Sequence, residues 1–189
     1  MPPDFAYTPN FLPAAEAAAL LAHLTAAVAW EQHSIRLFGQ WHPQPRLTAW
    51  YGEPEARYAY SGLTWEPQPW LPALAALRQR LEAATGHAFN SALLNRYRDG
   101  RDSMGWHADD EPELGPAPAI ASLSLGAARR FRLRPRPGTP GTALGLDLAP
   151  GSLLLMLPGA QARWQHALPK TARPVGERLN LTFRWVMGA

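Results

Sequence analysis

The sequence predicts an α+β protein in which two helices precede many short strands, closed into a barrel or a double-sheet jelly roll. Three observations predict it. Two stretches in the first half place leucines at helical spacing. Six short apolar or alternating runs follow Gly86. Twenty prolines in 189 residues interrupt the chain too often for a helical bundle. This length is enough for one domain with a substantial core, and residues 1–189 are expected to form one, with no internal repeat or linker.

In chain order, Asn10 and Pro13 mark a helix start, and Leu20, Leu21, Leu24 and Val28 form its apolar stripe; His23 is expected at its surface or boundary. From Ile35 to Trp70 the chain is aromatic and punctuated by Gly and Pro, with Arg36, Arg46 and Arg57 between the rings. Aromatics of this kind serve a core, and interleaved with cations they also suit stacking on bases and pairing with phosphates. Pro72 to Thr85 reads as a second helix, with Leu74, Leu77 and Leu81 inward and Gly86 as its stop. The expected strands are Leu93–Tyr97, Ile120–Leu125, Arg130–Arg134, Leu144–Leu148, Ser152–Leu157 and Arg178–Val186, with a Pro/Gly/Thr-rich hairpin connection between Arg134 and Gly145.

The net charge is +3 and the pI about 9.7, which permits a nucleic-acid partner without demanding one. There is no cysteine, which excludes disulfides, thiolate zinc sites and a cysteine nucleophile. No apolar run approaches the ~20 residues of a membrane span, and Met1-Pro2-Pro3-Asp4 lacks signal-peptide features. The expectation is a monomeric, non-secreted protein without a membrane partner, cytoplasmic or, in a eukaryote, nuclear.

Two features carry chemistry. In an extended segment residues i and i+2 project to one side, so His107 and Asp109 can grip one ion from a single strand end, and His166 can close a 2-His-1-carboxylate triad suited to Fe(II) from a neighbouring strand. His-x-Asp alone also fits a solvated loop histidine. The last strand alternates strictly: Leu179, Leu181, Phe183 and Trp185 share one face, and Arg178, Asn180, Thr182 and Arg184 the other. That polar row faces either solvent or the inside of a barrel. In the second case two arginines six positions and ~20 Å of strand apart can address both ends of a dicarboxylate. Asn95 and Tyr97 alternate on one face of their own strand and can add hydrogen bonds.

Five ordered segments carry a family resemblance: Asn95-Arg96-Tyr97, His107-Ala108-Asp109-Asp110-Glu111, Ile120 to Gly126, Trp164-Gln165-His166 and Arg178 to Arg184. Together they resemble the AlkB family of Fe(II)/2-oxoglutarate dioxygenases. The likeness runs from about Phe38 to Trp185, and Pro45 to Gly52 is nearest the human-type repair homologues. The resemblance implies a double-stranded β-helix over about 90–187, N-terminal helices packed on one sheet, and an aromatic-basic nucleotide-recognition lid over about 31–70. It implies Fe(II), 2-oxoglutarate and O2 as cofactors and alkylated DNA as partner. The implied reaction is oxidative demethylation of bases such as 1-methyladenine and 3-methylcytosine, with release of formaldehyde, succinate and CO2.

By the same resemblance, His107, Asp109 and His166 hold iron. Arg178 pairs with the distal carboxylate of 2-oxoglutarate and Arg184 lies near the C1 end, with Asn95, Tyr97 and Asn180 assisting. Glu111 reads the base edge, Tyr60 stacks on the flipped base, and Tyr58, Trp50 and Asp110 belong to the substrate side. Phe38 matches an apolar finger that fills the gap left in a base stack, or is a core residue. Arg129, Arg130, Arg132, Arg134 and Arg136 either track phosphates, at most half of them in one groove, or form a solvated edge. The same chemistry on RNA or tRNA, a non-catalytic nucleic-acid-binding module of this fold and hydroxylation of a protein side chain are the competing readings.

Overall fold

The computed structural model describes residues 1–37, 39–60 and 63–187, with backbone alone for 37, 58–60 and 63–65. The elements are β1 (Phe5–Thr8), α1 (Ala14–Ala27), β2 (Ser34–Leu37), β3 (Gln40–Pro43), β4 (Leu47–Gly52), β5 (Tyr58–Tyr60), β6 (Leu63–Trp65) and α2 (Pro72–Thr85). They continue with β7 (Ser91–Tyr97), β8 (Met104–His107), β9 (Ile120–Gly126), β10 (Arg129–Pro135), β11 (Leu144–Leu148), β12 (Ser152–Met156), α3 (Ala160–Arg163), β13 (Trp164–Leu168) and β14 (Arg178–Arg184). A six-stranded sheet in the order β1-β12-β9-β14-β7-β4 faces a four-stranded sheet in the order β11-β10-β13-β8. This is the expected jelly roll, with two helices ahead of it.

Both long helices fall where the leucine spacing puts them. α2 begins with Pro72 in its first turn and buries Leu74, Leu77 and Leu81. It stops at Gly86, whose φ of 72° is one that glycine adopts without strain. α1 follows Pro13 and buries Ala17 and Leu24. These leucines share one core with Leu179, Leu181 and Phe183 of β14, so the helices cover the outer face of the large sheet. Each fully buried Leu or Phe there contributes roughly 1.5–3 kcal/mol.

The opposite side chains of β14 point into the barrel. Arg178, Thr182 and Arg184 are buried, which answers the alternation in favour of an interior polar row. β14 pairs with β7 and β9, and β7 with β4. The register lines up Thr48, Asn95, Asn180 and Ser124 across four strands. A polar stripe therefore crosses the inner face of the large sheet, where an ordinary jelly roll would be apolar.

Several expectations need correction. The sequence does not predict β1, and of β8 and β13 it gives only a strand end at His107 and a neighbouring strand at His166, not their bounds. β1 has too few residues between prolines to show a period. It is held by pairing with β12, and the adjacent Asp4 by Arg163 and by Trp164 Nε1–H, which donates at 2.7 Å. The stretch 31–70 contains two hairpins, β2–β3 and β5–β6, and between them β4 forms the edge of the six-stranded sheet. Trp185 does not continue the apolar face of β14; it lies past the strand end and is half exposed. Arg46 and Arg129 are buried, not free to meet phosphates. Arg129 donates to the backbone carbonyls of Asp99, Asp102 and Pro169.

Candidate active site

β8 ends at His107, and the antiparallel register sets His107 opposite His166 of β13. The imidazole centroids are 4.1 Å apart. Asp109, two residues on, turns in beside them: its Oδ1 lies 3.5 Å from His107 Nε2 and 3.9 Å from His166 Nε2. The three donor atoms lie within 4.8 Å of one another, a spacing that one small cation can span. His107 Nδ1–H donates to the Gly105 carbonyl at 2.9 Å, which leaves Nε2 with its lone pair toward the cluster.

Burial pushes the Asp109 carboxyl up, but Arg184 and the two imidazoles outweigh it and hold it well below the usual carboxylate range. Arg184 Nη2 donates to Asp109 Oδ2 at 3.1 Å, leaving Oδ1 for the histidine side. Burial, with His107 close by, lowers the His166 pKa to about 3, so this imidazole is neutral at physiological pH. Its ring stacks on Phe131 at 5.4 Å. Two imidazoles and a carboxylate form a donor set that suits Fe(II).

The other end of the cavity is built for an anion. Arg178 is almost fully buried and lies 5.4 Å from the Tyr97 ring centroid. Its Nη2 donates to Ser124 Oγ at 2.9 Å, its Nε has no partner, and among the described residues no carboxylate pairs with it. Burial lowers its pKa to about 10, still charged at neutral pH. A buried guanidinium without a counter-ion is costly unless a ligand brings one. Between this cation and the triad lie Asn180, which donates to Ser122 Oγ and the Leu123 carbonyl, and Asn95, which accepts from Arg46 Nε at 2.8 Å. An acid whose carboxylates sit about a cavity apart fits this arrangement, and 2-oxoglutarate is such an acid.

On the substrate side, Trp50 and Glu111 line the same cavity. Trp50 donates to the Ala56 carbonyl at 3.2 Å. Glu111 Oε2 is buried and, among the described residues, has no hydrogen-bond partner. Asp110 is not brought in: it is exposed and pairs with Arg136. Phe38 lies outside the described residues, as do the side chains of Tyr58 and Tyr60.

Two kinds of residue escaped the sequence reading. Gln44, Arg46 and Thr48 line the cavity beside the expected Trp50, and their period of two leads into β4, where it was legible once that stretch was taken as a strand. Gln161, buried on α3, accepts the Asp109 backbone N–H at 3.0 Å and donates to Met156 Sδ at 3.2 Å. No local pattern marks it, because the contact joins segments 52 residues apart.

A jelly roll holding two imidazoles and a carboxylate beside a buried, unpaired arginine defines a class, the non-haem Fe(II) oxygenases that take a keto-acid cosubstrate. Residues 4–184 match the 2OG-Fe(II) oxygenase superfamily. The chain is 47% identical over 186 residues to a rat protein named alpha-ketoglutarate-dependent dioxygenase alkB homolog 3, covering 94% of this chain and 62% of that one. It is 45% identical over 159 residues to mouse DNA oxidative demethylase ALKBH2, covering 81% and 66%. The chain thus spans less than two thirds of the length of these relatives. A solved structure described as OsALKBH1 superposes with a TM-score of 0.66 at 17% identity, over 97% of this chain and 99% of the other, which bears on the fold alone. The chain belongs to the AlkB family of the 2OG-Fe(II) oxygenase superfamily. The cofactors are accordingly Fe(II), 2-oxoglutarate and O2, and both ends of the cavity fit them.

Proposed function

We propose that this protein removes N-linked methyl groups from bases such as 1-methyladenine and 3-methylcytosine in DNA. One observation carries the reading: a single cavity places the His107–Asp109–His166 cluster at one end and an unpaired, buried Arg178 at the other. The names of the relatives supply the substrate class.

His107, Asp109 and His166 hold Fe(II), and Arg178 receives the distal carboxylate of 2-oxoglutarate, with Asn95, Tyr97 and Asn180 beside its chain. Arg184 keeps Asp109 ionised and fixed in orientation. Bound there, the metal and cosubstrate supply the oxidising power: O2 and 2-oxoglutarate become succinate and CO2, and the methyl group departs as formaldehyde. The chain's part is position and exclusion of water. Phe131 stacks on His166, and Met156 and Leu168 add apolar surface to the same cavity.

A paired base hides its Watson–Crick edge, so the target must be flipped or single-stranded, and methylation at that edge already weakens pairing. The unpartnered oxygen of Glu111 accepts the exocyclic N–H and favours a positively charged, methylated ring. Stacking of that cation on an aromatic ring adds roughly 0.5–2 kcal/mol. Formaldehyde release from methylated oligonucleotides tests the reading. Asp109→Ala should abolish release, and release at the parental rate would overturn the metal assignment. Competition between matched DNA and RNA substrates separates this proposal from the same chemistry on RNA.

A further inference from the structure

The outer face of the four-stranded sheet lies behind the cavity and carries cations that the proposed reaction does not use. On β10, Phe131 and Leu133 are buried inward, while Arg130, Arg132 and Arg134 are exposed on the other side. Alternate strand residues are roughly 7 Å apart. The three arginines differ. Arg130 donates to Asp147 at 3.0 Å and lies across Gly145, where a Cβ would come within 2.4 Å of its Nε. Arg132 has the small residues Gly145 and Ala167 as cross-strand neighbours, and among the described residues no carboxylate pairs with it. Arg134 lies 4.3 Å from the centroid of Trp106, and its Nε and Nη2 both donate to Gln165 Oε1, at 3.0 and 2.8 Å.

Arg134 is therefore a guanidinium with an indole at one face and an amide at one edge, and among the described residues no acid neutralises it. Trp106, its support, is 38% exposed. A ligand meeting such a plane has little side-chain motion left to arrest. Guanidinium planes stack on unpaired bases, and neighbouring cations neutralise phosphates. An anionic membrane or acidic peptide would use the charge but leave the plane idle. Position agrees: Trp106 adjoins His107, Leu133 pairs in register with His166, and β8 is the edge of its sheet. A strand leaving the cavity needs only to cross that edge.

We propose that this face is a second nucleic-acid contact, at which an unpaired base of the bound strand stacks on Arg134, backed by Trp106, while an adjacent phosphate engages Arg132. The proposal rests on the reading that the cavity acts on a nucleobase, and deepens it by naming a single strand as the polymer held.

The test uses the whole protein and three probes: a fluorescein-labelled thymidine oligonucleotide, the same length of abasic backbone, and phosphatidylserine vesicles. Arg134→Lys keeps the charge and loses the plane. It should weaken thymidine binding roughly 5- to 100-fold and leave abasic binding unchanged. Arg132→Ala should lower the salt-dependence slope by about 0.7 for both oligonucleotides. Parental thymidine affinity in Arg134→Lys, an unchanged slope in Arg132→Ala, or losses seen with vesicles alone would overturn the proposal. Both residues are exposed, so both variants should keep the parental melting temperature. Formaldehyde release from a methylated trinucleotide, too short to reach this face, tests the cavity reading separately. Its failure with the oligonucleotide results intact would sink that reading and leave the platform standing.

Discussion

At the scale of single residues, Arg178 makes opposite demands on stability and function. It is a buried cation whose anion must come from outside. Arg178→Met should raise the unfolding free energy of the ligand-free protein by ~1–4 kcal/mol, because an uncompensated charge leaves the interior. The same change should raise the 2-oxoglutarate requirement roughly 10- to 100-fold through loss of a charged hydrogen-bond partner, with oligonucleotide affinity unaltered. Thermal unfolding and a 2-oxoglutarate titration read the two effects. Equal losses for cosubstrate and DNA would mean the arginine acts structurally. Gln161 makes a second case. It ties the Asp109 backbone to the segment that leads into His166. Gln161→Leu should lower metal affinity by roughly 10- to 100-fold, read by anaerobic Co(II) titration, with little change in far-ultraviolet circular dichroism. The triad was legible because His107 and Asp109 stand two apart and His166 falls in a second of five ordered segments that carry the family resemblance. Gln161 was not, since glutamine is common and its partner distant.

At the scale of elements, the turn from β7 to β8 decides where His107 points. Asp102 fastens it: its carboxylate accepts from the Arg98 backbone N–H and from Arg98 Nε and Nη2, at 2.8–2.9 Å. Burial pushes Asp102 up, and the hydrogen bonds from Arg98 outweigh it and hold it below its ordinary value. A lowered folded pKa means that the unfolded chain binds the proton more readily. The stability from this clasp is therefore present above about pH 4 and lost as pH falls through the folded value. Urea midpoints at pH 6 and pH 3 should differ less in Asp102→Asn than in the parent; an equal difference would assign the acid sensitivity elsewhere. β14 shows why elements were read unevenly. Its alternation was strict enough to give both faces, yet alternation cannot say which side is solvent. The answer lay in α1 and α2, whose leucines already cover the apolar face. Leu181→Ala should cost ~2–5 kcal/mol in that core, measured by chemical denaturation. The bounds of β8 and β13 stayed illegible because glycine, histidine and glutamine interrupt them, and cross-strand pairing holds them extended.

At the scale of the whole molecule, apolar burial and polar function occupy opposite sides of one sheet. The helix-covered face supplies the packing, and the inner face is free to be polar because ligands are to fill it. 2-Oxoglutarate should therefore stabilise the protein as well as serve it. At 100 times its dissociation constant, a ligand bound only by the folded state adds ~2.7 kcal/mol. Thermal shifts in the presence of metal should show this gain in the parent and lose it in Arg178→Met. The fold class could be read from leucine spacing and proline content, but the sheet order could not, since β14 enters between β7 and β9 from far along the chain. That insertion has a consequence for biosynthesis. Until β14 leaves the ribosome, the two halves of the large sheet have no strand to join them and its two arginines are not yet in place. A nascent chain already carrying its imidazoles and carboxylate therefore has no cosubstrate pocket, and acquires its shape and its capacity to oxidise at one moment.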